Sequence, residues 1–339
     1  MRFNNIQILR FFAAAGVLLY HAHGYIGEHI WKTWLTRLFD YHFSWGVELF
    51  FVISGFVVSH SLSRQSPGRF LANRLVRVYP ALWLASAIVL VWRFIAIDAR
   101  PDPVNVLLAF SLFPTPRAEF QLGDLEWTLV YEVFFYLLLA CIGLLRARNA
   151  REWAMVVWAG AIGATALFTS LEATALRPTA ATIFLSAFNL PFIAGVLAYS
   201  WFTRERRLPV TSLLLLVPVA LYAAHRVHST VAQLAFQAVG FGALVLLAAQ
   251  RSRSHDPAPS HPLVKLGDWS YGIYLVHLSV IRGVTTLFAA RPDLANICFV
   301  VDVAVALLAG IVYGVVETTM YRHAKQALRG MWRVRPAVA

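Results

Sequence analysis

Apolar residues in this chain come in long runs, not in alternation and not as narrow stripes. A helix rises ~1.5 Å per residue, so about 20 apolar residues cross a bilayer. Ten runs reach or approach that length: residues 8–27, 45–62, 78–97, 127–145, 153–171, 181–202, 210–225, 231–250, 267–289 and 296–321. The pattern predicts an all-α, polytopic integral membrane protein with about ten transmembrane helices. The ten-residue alternation of a membrane barrel is absent. Pro191 predicts a kink in the sixth span, and the seventh is short and contains Pro218. A further run, Val104 to Phe113, is too short to cross and stops at Pro114 and Pro116. It predicts a re-entrant or interfacial segment.

Composition agrees with this reading. The chain has 339 residues, 59% hydrophobic and 14% charged, against about 25% charged in soluble domains. A net charge of +12 raises the idea of nucleic acid. The cations instead cluster between alternate spans, as topology determinants do, which excludes a nucleic-acid partner. One side collects Arg2, the Arg64–Arg77 group, the Arg146–Arg151 group and the basic C-terminal stretch. By the positive-inside rule that side and both termini are cytoplasmic. Residues 1–322 read as one membrane domain and 323–339 as a basic cytoplasmic tail. Arg10 and His21 interrupt the first run, so it reads as a retained helix and not as a cleaved leader. Cys141 and Cys298 both fall in apolar runs and predict no disulfide framework. The inner segment Gln250 to Pro262, rich in Ser, Pro and His, reads as a flexible linker. The outer segment Asp98 to Glu126 is long enough to suggest a functional loop.

The chemistry begins with Arg10 and His21, which have ten residues between them. Eleven steps of ~100° close three turns plus ~20°, so both side chains share one helix face about 16 Å apart. Arg74 and Arg77 are three apart and share a face at the inner start of the third span. Three guanidiniums at one end suit a phosphorylated ligand, through bidentate charge-assisted bonds. The plain alternative is snorkelling to headgroups. An imidazole titrates near ~6.5, so His21 could serve as a general base; it could also be a packed helix contact. His23 lies on a nearly opposite face and reads as interfacial. Glu132, inside Trp127–Tyr136, could accept from an imidazole N–H and fix its tautomer, or belong to a structural pair. Glu48, near Ser54 and Gly55, has the same two readings. His277, within Ser270–His277, is a catalytic candidate or a helix–helix hydrogen bond, and Glu317 could pair with Arg322 or the inner arginines. No metal-ligand spacing, phosphate loop or nucleophile elbow is present, so no metal is expected. Two function classes remain open on the residues: a group-transfer enzyme, and a proton-coupled transporter or flippase of a glycan or small anion.

Five segments together resemble the acyltransferase-3 family of bacterial membrane O-acyltransferases. They are Arg10 with His21, Glu48 through Phe56, Arg74-Leu-Val-Arg77, Trp127–Tyr136 around Glu132, and Ser270–His277. The resemblance covers nearly the whole chain and implies a ten-helix membrane fold in the bacterial inner membrane. It implies transfer of an acyl group, usually acetyl, from acetyl-CoA or another acyl-CoA to a hydroxyl of a carbohydrate or glycolipid acceptor. It implies that His21 and Arg10 are the essential pair and that Arg74 and Arg77 are the inner double-arginine motif. Three positions depart from the family's usual pattern. Glu48 stands where Asp is more frequent, Thr128 where Ser is common, and Glu317-Thr-Thr replaces a frequent Glu-Arg-Pro.

Overall fold

Among the described residues, each of the ten predicted spans overlaps a helix. The computed structural model describes residues 2–30, 32–35, 45–97, 102–115, 125–144, 148–168, 178–204 and 208–333. The helices are α1 (Asn4–His29), α2 (Gly46–Leu62), α3 (Pro67–Ile97), α4 (Pro103–Ser111), α5 (Glu126–Ile142) and α6 (Arg148–Phe168). They continue with α7 (Asn189–Thr203), α8 (Val210–Arg226), α9 (Thr230–Arg251), α10 (Pro262–Asp268), α11 (Ser270–Phe288) and α12 (Ala295–Arg333). No described residue belongs to a strand. Parts of the outer segment, residues 98–101 and 116–124, lie outside the described residues, as do residues 334–339 of the predicted tail. α12 runs unbroken past residue 322 to Arg333.

Among the described residues, four helical stretches are long and apolar enough to cross a bilayer unaided. They are Pro67–Trp92, Thr230–Arg251, Ser270–Phe288 and Pro292–Leu328, with Gly46–Leu62 and Val210–Arg226 as shorter apolar helices. That is fewer than the ten predicted, for a physical reason. α7 has only 15 residues. α5 has 17 and carries Glu126 and Glu132. α1 carries Asn4, Asn5, Gln7, Arg10, His21 and His23. Such helices bury polar groups against partners, and bare hydropathy undervalues them.

Small residues let the central helices touch. A Cβ added at Gly55 would meet the backbone of Phe192 and Gly195, and one added at Gly195 would meet the backbone of Val52. α2 and α7 therefore cross backbone to backbone, as membrane helices with small-residue notches do. Beside that crossing, Phe135 of α5 stacks on Phe192 with centroids 3.8 Å apart.

Three expectations need correction. First, the segment between α9 and α10 is a strap, not a flexible linker. The first N–H groups of any helix lack intrahelical partners. Here Asp256 Oδ1 accepts from Asn4 N at 2.9 Å and Asn5 N at 3.3 Å, which also sets a carboxylate at the positive end of α1. Asn4 Nδ2 donates to Pro257 O at 2.7 Å, and Asn5 Nδ2 to His255 O at 3.0 Å. Arg2 forks onto Asp268 at 2.6 and 2.5 Å. Gly267 lies so close to the Gln7 carbonyl that no side chain would fit. Second, α3 starts at Pro67, well before residue 78, so Arg74 and Arg77 lie two to three turns inside a helix. Third, α7 starts at Asn189, so Pro191 falls in its first turn, where its missing N–H costs no bond. The short run after Asp102 is α4, tied to α3 by Tyr79 Oη donating to Ser111 O at 2.8 Å and Trp83 Nε1 to Phe110 O at 2.9 Å.

Candidate functional site

Five helices enclose one cavity of about 840 Å³ including its open mouth. α1 supplies Arg10, α3 supplies Arg74 and Arg77, and α5 supplies Thr128, Glu132 and Tyr136. α2 lines it with Val47, Phe50, Phe51 and Ser54, and α11 with Tyr271 and Tyr274. The three predicted arginines and Glu132 thus converge on one space. Arg74 and Arg77 reach it from within α3 and not from its start, because that helix begins at Pro67.

Each charge there has a different environment. Arg77 forms an ion pair with Glu317 of α12, and its guanidinium lies over the rings of Tyr271 (5.7 Å) and Tyr321 (5.0 Å). Arg10 Nη1 donates to Gln7 Oε1 at 3.3 Å, one turn back in α1, and feels the charges of Arg77, Glu132 and Glu317. Arg74 lies 5.8 Å from the ring centroids of both Phe70 and Tyr136. Among the described residues it makes no hydrogen bond or ion pair, so its donors face the cavity unspent. That is a fit for a phosphorylated group: fixed forks, aromatic walls and one uncommitted guanidinium.

Glu132 accepts from Tyr136 Oη, one turn further along α5. The imidazole of His21 finds a different partner. Its Nδ1 is 2.9 Å from Nε2 of His277, and the two rings are 5.1 Å apart and inclined by 27°. His277 is fully buried. It sits one turn beyond Tyr274, whose hydroxyl is 2.6 Å from Thr128 Oγ1 and whose ring is 5.7 Å from that of His277. Tyr274 therefore joins the cavity wall to the histidine pair. The imidazole's neighbour is His277, and Glu132 instead meets its structural-pair reading, with Tyr136 as the partner. The reason is packing: α11 lies against α1, while Glu132 points toward Tyr136 and the arginines.

Glu48 stands apart. Val47, Phe50, Phe51 and Ser54 turn one face of α2 to the cavity, whereas Glu48 shares the face of Val52 and Gly55, toward α7. Its Oε2 is buried without a hydrogen-bond partner among the described residues. The sequence reading missed Tyr271 and Tyr274 as wall residues. The signal was there in part, since Tyr274 and His277 are three apart and so lie on one helix face.

A helical membrane protein with a buried, arginine-lined cavity beside a histidine pair is the class these features define. The chain belongs to the acyltransferase-3 family: the family model described as the acyltransferase domain matches residues 3–316. Nodulation protein 10 of Rhizobium leguminosarum bv. viciae is 28% identical over 311 residues, covering 82% of this chain and 83% of its own. The exopolysaccharide production protein ExoZ of Rhizobium meliloti (strain 1021) is 29% identical over 250 residues, covering 68% and 74%. No solved structure matches. The family decides between the two open function classes in favour of an acyltransferase.

Proposed function

We propose that this acyltransferase takes an acyl group, acetyl in the simplest case, from cytosolic acyl-CoA. It hands the group to a carbohydrate hydroxyl at or beyond the outer face of the bacterial inner membrane. The observation that carries the reading is the convergence of Arg10, Arg74 and Arg77 on one cavity whose wall, at Tyr274, adjoins the His21–His277 pair. The ten helices then cross the membrane with both termini cytoplasmic, among bilayer lipids. Arg10, Arg74 and Arg77 hold the phosphates of the donor, with Arg74 supplying donors that no protein group uses. The ~16 Å rise from Arg10 to His21 along α1 is of the order of a pantetheine arm.

His21 acts as the general base. It takes the proton of the acceptor hydroxyl as that oxygen attacks the thioester carbonyl carbon. The carbon–sulfur bond breaks, and the proton passes from the imidazole to the departing thiolate. Glu132 and Tyr136 set the polar field of the cavity between the arginines and the histidines, and the hydroxyls of Thr128 and Tyr274 lie close to the reacting end. Glu48 supports the helix pair α2–α7 on the side away from the cavity. A carbohydrate acceptor is favoured because one relative is named for exopolysaccharide production.

The test uses inside-out membrane vesicles and radiolabelled acetyl-CoA. Label enters the glycan fraction with the parent chain and not with His21→Ala. Equal labelling by both removes His21 from the mechanism, and labelling confined to right-side-out vesicles overturns the orientation.

A further inference from the structure

The contact between His21 and His277 determines where protons sit. His277 Nδ1 lies 2.7 Å from the backbone carbonyl oxygen of Tyr274, one turn earlier in α11. A carbonyl oxygen can only accept, so Nδ1 of His277 carries a hydrogen. The ring is fully buried, and its hydrogen-bond partners among the described residues are that carbonyl, the backbone of Ile273 one turn back and His21, with no carboxylate between them. An imidazolium there would be a buried charge without a counter-ion, so the ring is neutral and Nε2 presents a lone pair. That lone pair is the atom facing His21 Nδ1 at 2.9 Å. The contact is a hydrogen bond only if His21 Nδ1 donates. A neutral His21 protonated on Nδ1 has its lone pair on Nε2.

We infer that His277 is a positioning residue: together with the Tyr274 carbonyl it holds His21 in the Nδ1–H tautomer, so that Nε2 is the nitrogen that takes the acceptor's proton. This rests on the reading of His21 as the base. When Nε2 gains that proton, His21 becomes an imidazolium whose Nδ1–H already points at a lone pair, and the hydrogen bond becomes charge-assisted. His277 thus does for His21 what a carboxylate does in a catalytic triad, orienting the ring and receiving its N–H. It does so without placing a second ionised group in an apolar layer, where charge is costly. Glu132, committed to Tyr136, is left to the cavity.

The test compares His277→Gln, His277→Asn and His277→Leu in the full chain, in inside-out vesicles with radiolabelled acetyl-CoA. Gln reaches the place of Nε2 with an oxygen that accepts, Asn is too short, and Leu offers no acceptor. The expected result is a kcat lower by on the order of 100-fold for Leu and Asn, in the range of lost base catalysis. KM for acetyl-CoA stays unchanged, and Gln stays within about tenfold of the parent. Equal loss in all three variants at parental melting temperature overturns the inference, because a purely structural contact would not single out Gln. Nitrogen-15 spectra of histidine-labelled parent protein give a readout that needs no variant to be active, with the His21 signals assigned by their absence from His21→Ala. Protonated Nδ1 and bare Nε2 on His21 are expected; the reverse pattern overturns the inference. A fully active His21→Ala would defeat the base reading itself, while the spectrum would still report the tautomer.

Discussion

Arg77 of α3 and Glu317 of α12 form an ion pair across 240 residues of sequence, with the carboxylate 1% exposed. The pair ties one of the cavity's three arginines to α12. Removing one partner of a buried pair leaves the other charge uncompensated, which costs roughly 3–5 kcal/mol. Glu317→Ala is therefore expected to lower unfolding stability in mild detergent by about that amount, and Glu317→Gln by less, since an amide oxygen still accepts. An unchanged unfolding midpoint for Glu317→Ala would refute the pair's structural weight.

Arg74 offers the cleanest probe of donor docking, because no protein carboxylate depends on it among the described residues. Hydrogen bonds to charged groups are worth about 1.5–3 kcal/mol each, and 1.4 kcal/mol is about tenfold. Arg74→Ala is expected to raise KM for acetyl-CoA by roughly 10–100-fold at unchanged melting temperature. Arg74→Lys should recover only part of this, since an ammonium cannot fork. An unaltered KM for both variants would place the phosphates elsewhere.

The α2–α7 crossing has no room for a side chain at Gly195 or Gly55. Gly195→Val forces a β-branched group into the Val52 carbonyl, and the helices must separate. The expected outcome is loss of monodisperse protein on size-exclusion chromatography. Gly160→Ala, where an added Cβ meets open space, should behave as the parent. A well-behaved Gly195→Val would mean the crossing is looser than described.

Asp256 caps α1 from a distance, and Ala in its place removes the acceptor for Asn4 N and Asn5 N. Loss of a helix cap costs about 0.5–2 kcal/mol. Asp256→Ala is expected to lower stability by that amount and to speed tryptic cleavage after Arg253 in inside-out vesicles. Equal cleavage rates in parent and variant would restore the flexible-linker reading of this segment.

Local periodicity made much of the protein legible. Runs of about 20 apolar residues marked ten helices, because the cost of unpaired backbone in lipid leaves few other structures. The face shared by Arg10 and His21 followed from 3.6 residues per turn, a property of one helix that needs no partner. The five motifs in order were enough for the family. What a helix meets across its face is not local, and here only tertiary structure decided. Of the two readings open for Glu132, the contact with Tyr136 matches the structural pair, and His277, 256 residues away in sequence, meets His21 because α11 packs on α1. Arg74 and Arg77 lie inside a helix and line the cavity because α3 extends back to Pro67, eleven residues before the predicted start of the span. The strap at Asp256 looked like a linker because its stabilising bonds run to the other end of the chain. Sequence set which residues each helix could present. Crossing geometry, governed by notches such as Gly55, Gly195 and Gly267, chose which of them would meet.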